Sequence, residues 1–337
     1  MTGTRRSYDV QGLPVRACAT DKELLEVVES RLGPFQTSKK LDNPFELRLR
    51  YGDFSPRGSG PPGMRLFWEG VPPGGQNRMA YYSGPRTRLI EQPGITRLHI
   101  DLRRRTADGT VRRGAEWSVP FGCIIPVLSE FLPEVGSCLM HAAAVADGPD
   151  GRAVLICGPS GSGKTTTALA LTTGGFRLLT DDATVLVRRG EEIAAWGLPR
   201  PCKVRRETVK LLPWLRNIAG ASEADGREFA FDPSGLALSH PQAPARAVLL
   251  LLLEEPCGGD HRLTPAEPLA ALSSLANQNV RALETRADAG PGVVFGLLAS
   301  LVRQCTAFTL RPGPALEKLP ELLLPLLDES DSDGGNA

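Results

Sequence analysis

The chain has 337 residues, which suggests two domains or one large one. Lys plus Arg is 39 against 38 Asp plus Glu, a formal net charge of +1, and that balance argues against a dedicated nucleic-acid binder. With 41% hydrophobic and 23% charged residues the composition is that of a globular protein with a sizeable core, not of a disordered chain. The longest apolar runs, 247–253 and 293–302, fall short of the ~20 residues a membrane helix needs, and the polar start Met1-Thr2-Gly3-Thr4-Arg5-Arg6 has no secretory apolar segment. The expectation is therefore no membrane. Seven scattered cysteines without a Cys-x-x-Cys pair fit a reducing, cytoplasmic setting rather than a disulfide framework.

Residues 1–135 read as a β-rich N-terminal domain of short strands and turn-rich connections. A helix follows Asp21, which is placed to cap it, with Leu24, Leu25, Val28 and Leu32 on one face. Phe45-Glu46-Leu47-Arg48-Leu49-Arg50-Tyr51 alternates apolar and polar, as a half-buried strand does, and 95–102 alternates similarly. Between them, 55–76 is rich in Gly and Pro and is expected to be a mobile loop, while Asp108-Gly109 is expected to turn a hairpin. Eight arginines crowd into 86–113 (Arg86, Arg88, Arg97, Arg103, Arg104, Arg105, Arg112, Arg113). A solvated strand face is the plain reading of them, and a docking patch for an acidic partner the alternative.

The chemistry concentrates in 136–255. The apolar run 154–157 leads into Gly158-Pro159-Ser160-Gly161-Ser162-Gly163-Lys164-Thr165, which satisfies G-x-x-x-x-G-K-[ST] throughout, and a helix is expected from Thr166. Strand, glycine-rich loop and helix form the context a phosphate-binding loop requires. Glycines let successive N–H groups face one concavity, and the helix N-terminus adds positive potential there. Lys164 can reach the outer phosphates, and Thr165 can offer its hydroxyl to Mg²⁺. Next comes the strand Phe176-Arg177-Leu178-Leu179-Thr180, ending in Asp181-Asp182, then the strand Thr184-Val185-Leu186-Val187. Paired carboxylates at a strand end can divide metal ligation from proton acceptance. His141, one of only four histidines, sits in the apolar segment 139–145 ahead of the loop. A rival acidic pair, Glu254-Glu255, ends the apolar run 248–253 and could activate water in an ATPase.

Residues 256–327 read as mainly helical, with helical spacing over 265–275, 292–305 and 316–327. The acidic tail 328–337 lacks apolar residues and is expected to be disordered.

Taken together, His141-Ala142-Ala143, the strand and loop 154–165, Thr166-Thr167-Ala168-Leu169 and Leu178-Leu179-Thr180-Asp181-Asp182 resemble the catalytic domain of the HPr kinase/phosphorylase family, including its relatives in peptide natural-product clusters. The resemblance covers roughly 137–190 and extends weakly to Gly197-Leu198-Pro199-Arg200-Pro201-Cys202-Lys203 and to 305–311. It implies an α/β (α+β) fold with the P-loop core and mixed sheet shared with phosphoenolpyruvate carboxykinase, over 136–327. It further implies ATP on Gly158, Pro159, Ser160, Gly161, Ser162, Gly163, Lys164, Thr165 and Thr166, and Mg²⁺ at Thr165 and Asp182. Asp181 would be the base for the acceptor hydroxyl, with His141 near the transferring phosphate. The first 130 residues do not resemble the family's regulatory domain. The glutamate that bifunctional members carry before their Gly-Leu-Gly segment is replaced here by Ile193-Ala194-Ala195-Trp196. The expected acceptor is therefore a peptide, another small protein or a hydroxylated metabolite, with the N-terminal strands free for acceptor recognition or for homo-oligomer contacts. An ATPase and a nucleotide-sensing binding module are the other readings.

Overall fold

The computed structural model describes residues 4–54, 62–71, 77–148, 151–218, 222–224, 228–233, 244–279 and 290–332. The fold is α+β with mixed sheets, and the chain divides into two compact units, Met1–Val135 and Gly136–Ala337.

The first unit is one eight-stranded sheet. In chain order its elements are β1 (Thr4–Val10), β2 (Leu13–Ala19), helix α1 (Lys22–Leu32), β3 (Phe45–Tyr51), β4 (Arg65–Gly70), β5 (Met79–Ser83), β6 (Thr87–Gln92), β7 (Thr96–Asp101) and β8 (Thr106–Val111). The strand order is β1-β2-β3-β8-β7-β6-β5-β4. α1 buries Leu24, Leu25, Val28 and Leu32, the face read from the sequence. Asp21 occupies the cap position without capping; its carboxylate instead accepts the Thr20 hydroxyl and faces Arg113.

Three local expectations are corrected. Asp108-Gly109 lies inside β8 and not in a turn, and Gly109 is glycine there for space. A Cβ there would stand 2.6 Å from Leu49 Cδ2 and 3.2 Å from Cys123 Sγ. The hairpin turns at 102–105, where Asp101 Oδ1 accepts the N–H groups of Arg103 and Arg104 and Arg105 takes a positive φ of 54°. Within 55–76, the edge strand β4 pairs with β5, while 55–61 and 72–76 lie outside the described residues. Third, the unit closes with a helical run over 116–135, including α2 (Ile125–Phe131), a second helical segment beyond the one expected after Asp21. It is apolar and long enough to cross a membrane, but 72% of its 18-residue apolar window is buried inside this fold.

The arginine-rich segment is largely neutralised. Arg97 pairs with Glu91, Arg104 with Asp101, Arg105 with Glu134, and Arg113 with Asp21 and Glu23. Arg88 departs from the solvated-face reading: it is 2% exposed, with Nε 3.2 Å from Oε1 of the fully buried Glu130. Tyr81 donates its hydroxyl to the same oxygen at 2.6 Å, and Arg88 Nη1 donates to the carbonyls of Gly84 and Thr87.

The second unit carries a nine-stranded sheet whose main path runs β12-β10-β11-β18-β14-β13-β9. These strands are β9 (Ser137–His141), β10 (Ala143–Asp147), β11 (Ala153–Cys157), β12 (Phe176–Thr180), β13 (Ala183–Arg189), β14 (Glu192–Gly197) and β18 (Ala245–Leu253). A separate small sheet joins β15 (Cys202–Arg205), β16 (Ser222–Ala224) and β17 (Glu228–Phe231). The final strands β19 (Arg262–Pro265) and β20 (Thr306–Arg311) extend the large sheet from β18. They add two short strands to 256–327, which is otherwise mainly helical as read from the sequence, with helices over Pro268–Gln278, Gly290–Gln304 and Leu319–Ser332. β20 supplies a parallel partner to the apolar β18 backbone, whose N–H and C=O groups need one when buried.

Helices cover both faces of the sheet. Val154, Ile156, Leu249 and Leu251 point to α3 (Lys164–Thr172) and the last helix α7 (Leu319–Ser332). Leu155, Cys157 and Leu250 point to α5 (Pro268–Gln278) and α6 (Gly290–Gln304). A short α4 (Arg206–Leu211) follows β15. Burial on both faces explains why β11 and β18 read as continuous apolar runs without alternation. α7 continues through Ser332, so the acidic tail is helical over 328–332. Arg152 anchors this end, donating to Leu327 O and pairing with Asp328 at 3.2 Å. Residues 333–337 lie outside the described residues.

Gly197 at the end of β14 shows how tightly this sheet is drawn beside the site. A Cβ there would lie 1.8 Å from Leu179 O and 3.1 Å from Thr180 Cβ. Gly197→Ala is expected to destabilise the protein by about 1–3 kcal/mol, the usual cost of overpacking. Chemical denaturation checks it; an unchanged transition midpoint would refute the close approach.

Candidate phosphate-binding site

β11 ends at Cys157, the loop occupies 158–163, and α3 begins at Lys164. Gly161 and Gly163 adopt φ of 88° and 97°, values that a side chain disfavours and that bend the loop into the helix N-terminus. Gly158 is glycine for space, since a Cβ would meet Ser162 Oγ at 2.6 Å and Leu253 Cβ at 3.1 Å. Lys164 folds its ammonium back over the loop, donating to Gly158 O at 2.8 Å and Pro159 O at 3.1 Å. It is only 7% exposed, and burial holds its pKa below the usual lysine value although the charge of Asp182 opposes that shift. Ser162 Oγ is buried without a hydrogen-bond partner among the described residues. Thr165 is half-buried, and the Thr166 hydroxyl meets that of Thr208 at 2.9 Å. Cys157, buried behind the loop, has its thiol pushed up to about 12 by burial, as expected of a core residue and not a redox sensor.

Two bends in the sheet bring the other predicted residues together. The chain kinks at Ala142 between β9 and β10, and at Asp181-Asp182 between β12 and β13. β10 pairs with β12 while β9 pairs with β13, so both kinks fall at one level. Ala142 N–H donates to Asp182 O, the Thr184 hydroxyl donates to Ala142 O, and Thr180 Oγ1 accepts Ala183 N–H. This locking places His141 Nδ1 2.7 Å from Asp182 Oδ1. His141 Nε2 is buried without a partner among the described residues.

The two carboxylates have different surroundings. Asp181 is 4% exposed, and burial raises its pKa although Arg200 works the other way. The Cys202 thiol and Lys203 N–H lie against it, yet Oδ1 makes no hydrogen bond among the described residues. Burial disfavours the charge of Asp182 too, but the His141 hydrogen bond and Arg200 outweigh it and hold this carboxyl well below the usual range. Neighbouring acids driven apart in this way suit different duties.

Three residues that the motif reading left without a role complete the site. Arg200 contacts both carboxylates. At the end of α5, Gln278 Oε1 accepts Gly158 N–H at 2.8 Å and Asn279 Oδ1 accepts His141 N–H at 2.8 Å. No spacing rule connects Gln278 or Asn279 to a loop 120 residues earlier. Arg200 had a signal only in its place between two prolines.

Glu254 lies apart from the carboxylate pair in its contacts. β18 runs parallel to β11 with Leu252 opposite Cys157, so Glu254 follows beside the start of the loop. Its side chain is 56% exposed and 3.6 Å from Arg311. Among the described residues no cluster of three or more His, Cys, Asp or Glu forms a metal cage. Nucleotide-bound Mg²⁺ needs none, because phosphates and water supply most of its ligands. The unpaired Ser162 hydroxyl, the left-handed glycines and the Lys164 ammonium form a donor set that fits phosphate; Thr165 and the ionised Asp182 are oxygen donors that fit Mg²⁺. No protein-family model matches the chain, and no curated protein matches it in sequence.

Proposed function

We propose that the protein is a Mg²⁺-dependent ATP phosphotransferase acting on a hydroxyl, built on an HPr-kinase-like P-loop core. The acceptor is a peptide, small protein or hydroxylated metabolite. One observation carries this reading: the adjacent Gln278 and Asn279 hold Gly158 N–H of the loop and His141 N–H, and the His141 ring meets Asp182 at 2.7 Å, which ties the loop to the carboxylate pair. A loop that only bound nucleotide would have no need of buried acids and a histidine at that place.

In this reading the loop N–H groups and Lys164 hold and neutralise the phosphates, while Thr165 and Asp182 hold Mg²⁺, which spreads charge on the transferring phosphoryl group when bound. Asp181 Oδ1 takes the proton of the acceptor hydroxyl as its oxygen bonds to the γ-phosphorus and the β–γ bridging oxygen departs with ADP. His141, oriented through Nδ1 by Asp182, turns Nε2 to the transferring group. The work of the protein is positioning and electrostatics.

The test is label transfer from γ-labelled ATP into macromolecular and small-molecule fractions of a cell extract, with Asp181→Asn alongside. Transfer into one fraction, falling about 10²-fold in the variant at unchanged nucleotide affinity, is the expected result. Full transfer by Asp181→Asn would remove that residue from its role. The position of Glu254 beside the loop favours a second reading, an ATPase. Release of label only as inorganic phosphate, lost in Glu254→Gln, would establish it instead.

A further inference from the structure

We propose that Arg200 is the positioning residue of this site: its guanidinium fork spans Asp181 and Asp182, separates their directions and turns Asp182 onto His141. The catalytic consequence rests on the kinase reading above; the geometric claim does not. Arg200 has a side chain 13% exposed, with Nε 3.3 Å from Asp181 Oδ1, and its Nη1 donates to Asp182 Oδ2. The remaining oxygen of Asp182, Oδ1, is the one His141 Nδ1 meets at 2.7 Å. Each end of the Asp182 carboxylate is thereby assigned, and its rotamer is fixed from two sides.

The surrounding chain is arranged to deliver this one side chain. Leu198 N–H donates to Ala183 O, pinning the outgoing strand end to the residue just after the acid pair. Pro199 and Pro201 flank Arg200. Proline fixes its own φ and keeps the preceding residue extended, so little backbone freedom remains between them. Without a cation here, two adjacent, mostly buried carboxylates would repel at short range in a medium of low dielectric. A lysine would supply the charge but not the fork, because an ammonium is a point donor and cannot address two carboxylates in fixed directions.

The experiment compares full-length wild type, Arg200→Lys and Arg200→Gln. Four quantities are read: thermal midpoint, ATP dissociation constant, the imidazole Nδ1–H proton resonance of His141 (assigned by its loss in His141→Gln), and turnover in the transfer assay. Arg200→Lys is expected to keep its midpoint within a few degrees and, with Mg²⁺ omitted, its ATP affinity within about twofold, because the Arg200 contacts described above go to the carboxylates and the loop holds the phosphates. It is expected to lose the His141 resonance and about 10²-fold in kcat, a larger loss than any rise in the KM for Mg²⁺-ATP, the scale of a misplaced catalytic group. Arg200→Gln should match it in resonance and turnover. Wild-type resonance and turnover in Arg200→Lys would overturn the proposal. So would a collapsed midpoint in Arg200→Lys, which would make Arg200 a stability residue. If the wild type transfers no label, the kinase reading fails while the resonance still decides whether Arg200 orients the Asp182–His141 pair.

Discussion

Lys164→Met is expected to lower phosphoryl transfer by about 10²–10³-fold, the usual effect of removing one preorganised donor to developing charge. The substitution keeps the buried stem and removes only the ammonium, which in this structure donates to Gly158 O and Pro159 O. Those carbonyls belong to the loop itself, so the ammonium is held over the concavity where phosphates would lie. Burial lowers its pKa, but the nearby Asp182 charge works to keep it protonated. Nucleotide affinity should weaken as well, by about tenfold, since a charge-assisted hydrogen bond contributes roughly 1.5–3 kcal/mol. Fluorescent-nucleotide titration and label transfer measure the two effects separately. A Lys164→Met protein with wild-type affinity and turnover would remove the loop from the chemistry and leave it a structural turn.

Arg88→Met should destabilise the first unit by about 3–5 kcal/mol, because it strands a buried carboxylate. Glu130 is fully buried, and its Oε1 accepts from both Arg88 and Tyr81. The same burial, together with the Glu130 charge, drives the Tyr81 phenol well above its ordinary pKa, so Tyr81 stays a donor and cannot replace the lost cation. The double variant Arg88→Met/Glu130→Gln should recover most of the loss, since a neutral amide still accepts from Tyr81 and leaves no buried charge. Denaturant titration of the three proteins decides it. A shift below about 1 kcal/mol in the single variant would mean that water reaches Glu130.

With Arg88 buried and Arg97, Arg104, Arg105 and Arg113 each matched to an acid of the same unit, five of the eight clustered arginines serve the fold. This weakens a docking-patch reading of that segment. With it goes the main support for a nucleotide sensor that recruits an acidic partner.

Local pattern was enough for the elements whose chemistry is local. The amphipathic face of α1, the alternation of β3 and the glycine-rich loop before α3 each follow from spacing within a few residues. Asp108-Gly109 and Asp21 show where local chemistry misleads. Gly109 is required by a neighbouring strand and by Cys123, which no window on β8 contains. Asp21 finds the Thr20 hydroxyl and Arg113 as partners instead of its own helix. β20 is a strand because of a parallel partner that lies more than 50 residues earlier in the chain, outside any local window.

The same division runs through the site. The sequence alone determined the glycine-rich turn between β11 and α3, because backbone curvature, helix start and the lysine all lie within eight consecutive residues. It also supplied His141, Asp181 and Asp182 as candidates by residue type. Only the tertiary structure decided that His141 and Asp182 touch, since paired bends in two ribbons of the sheet carry them together. Only it showed that Arg200 contacts both carboxylates while His141 meets Asp182 alone. The same holds for Arg200, Gln278 and Asn279, brought to the site from the far end of β14 and the end of α5. Their partners are set by sheet register and helix packing, which depend on the whole core and leave no periodic mark in the chain.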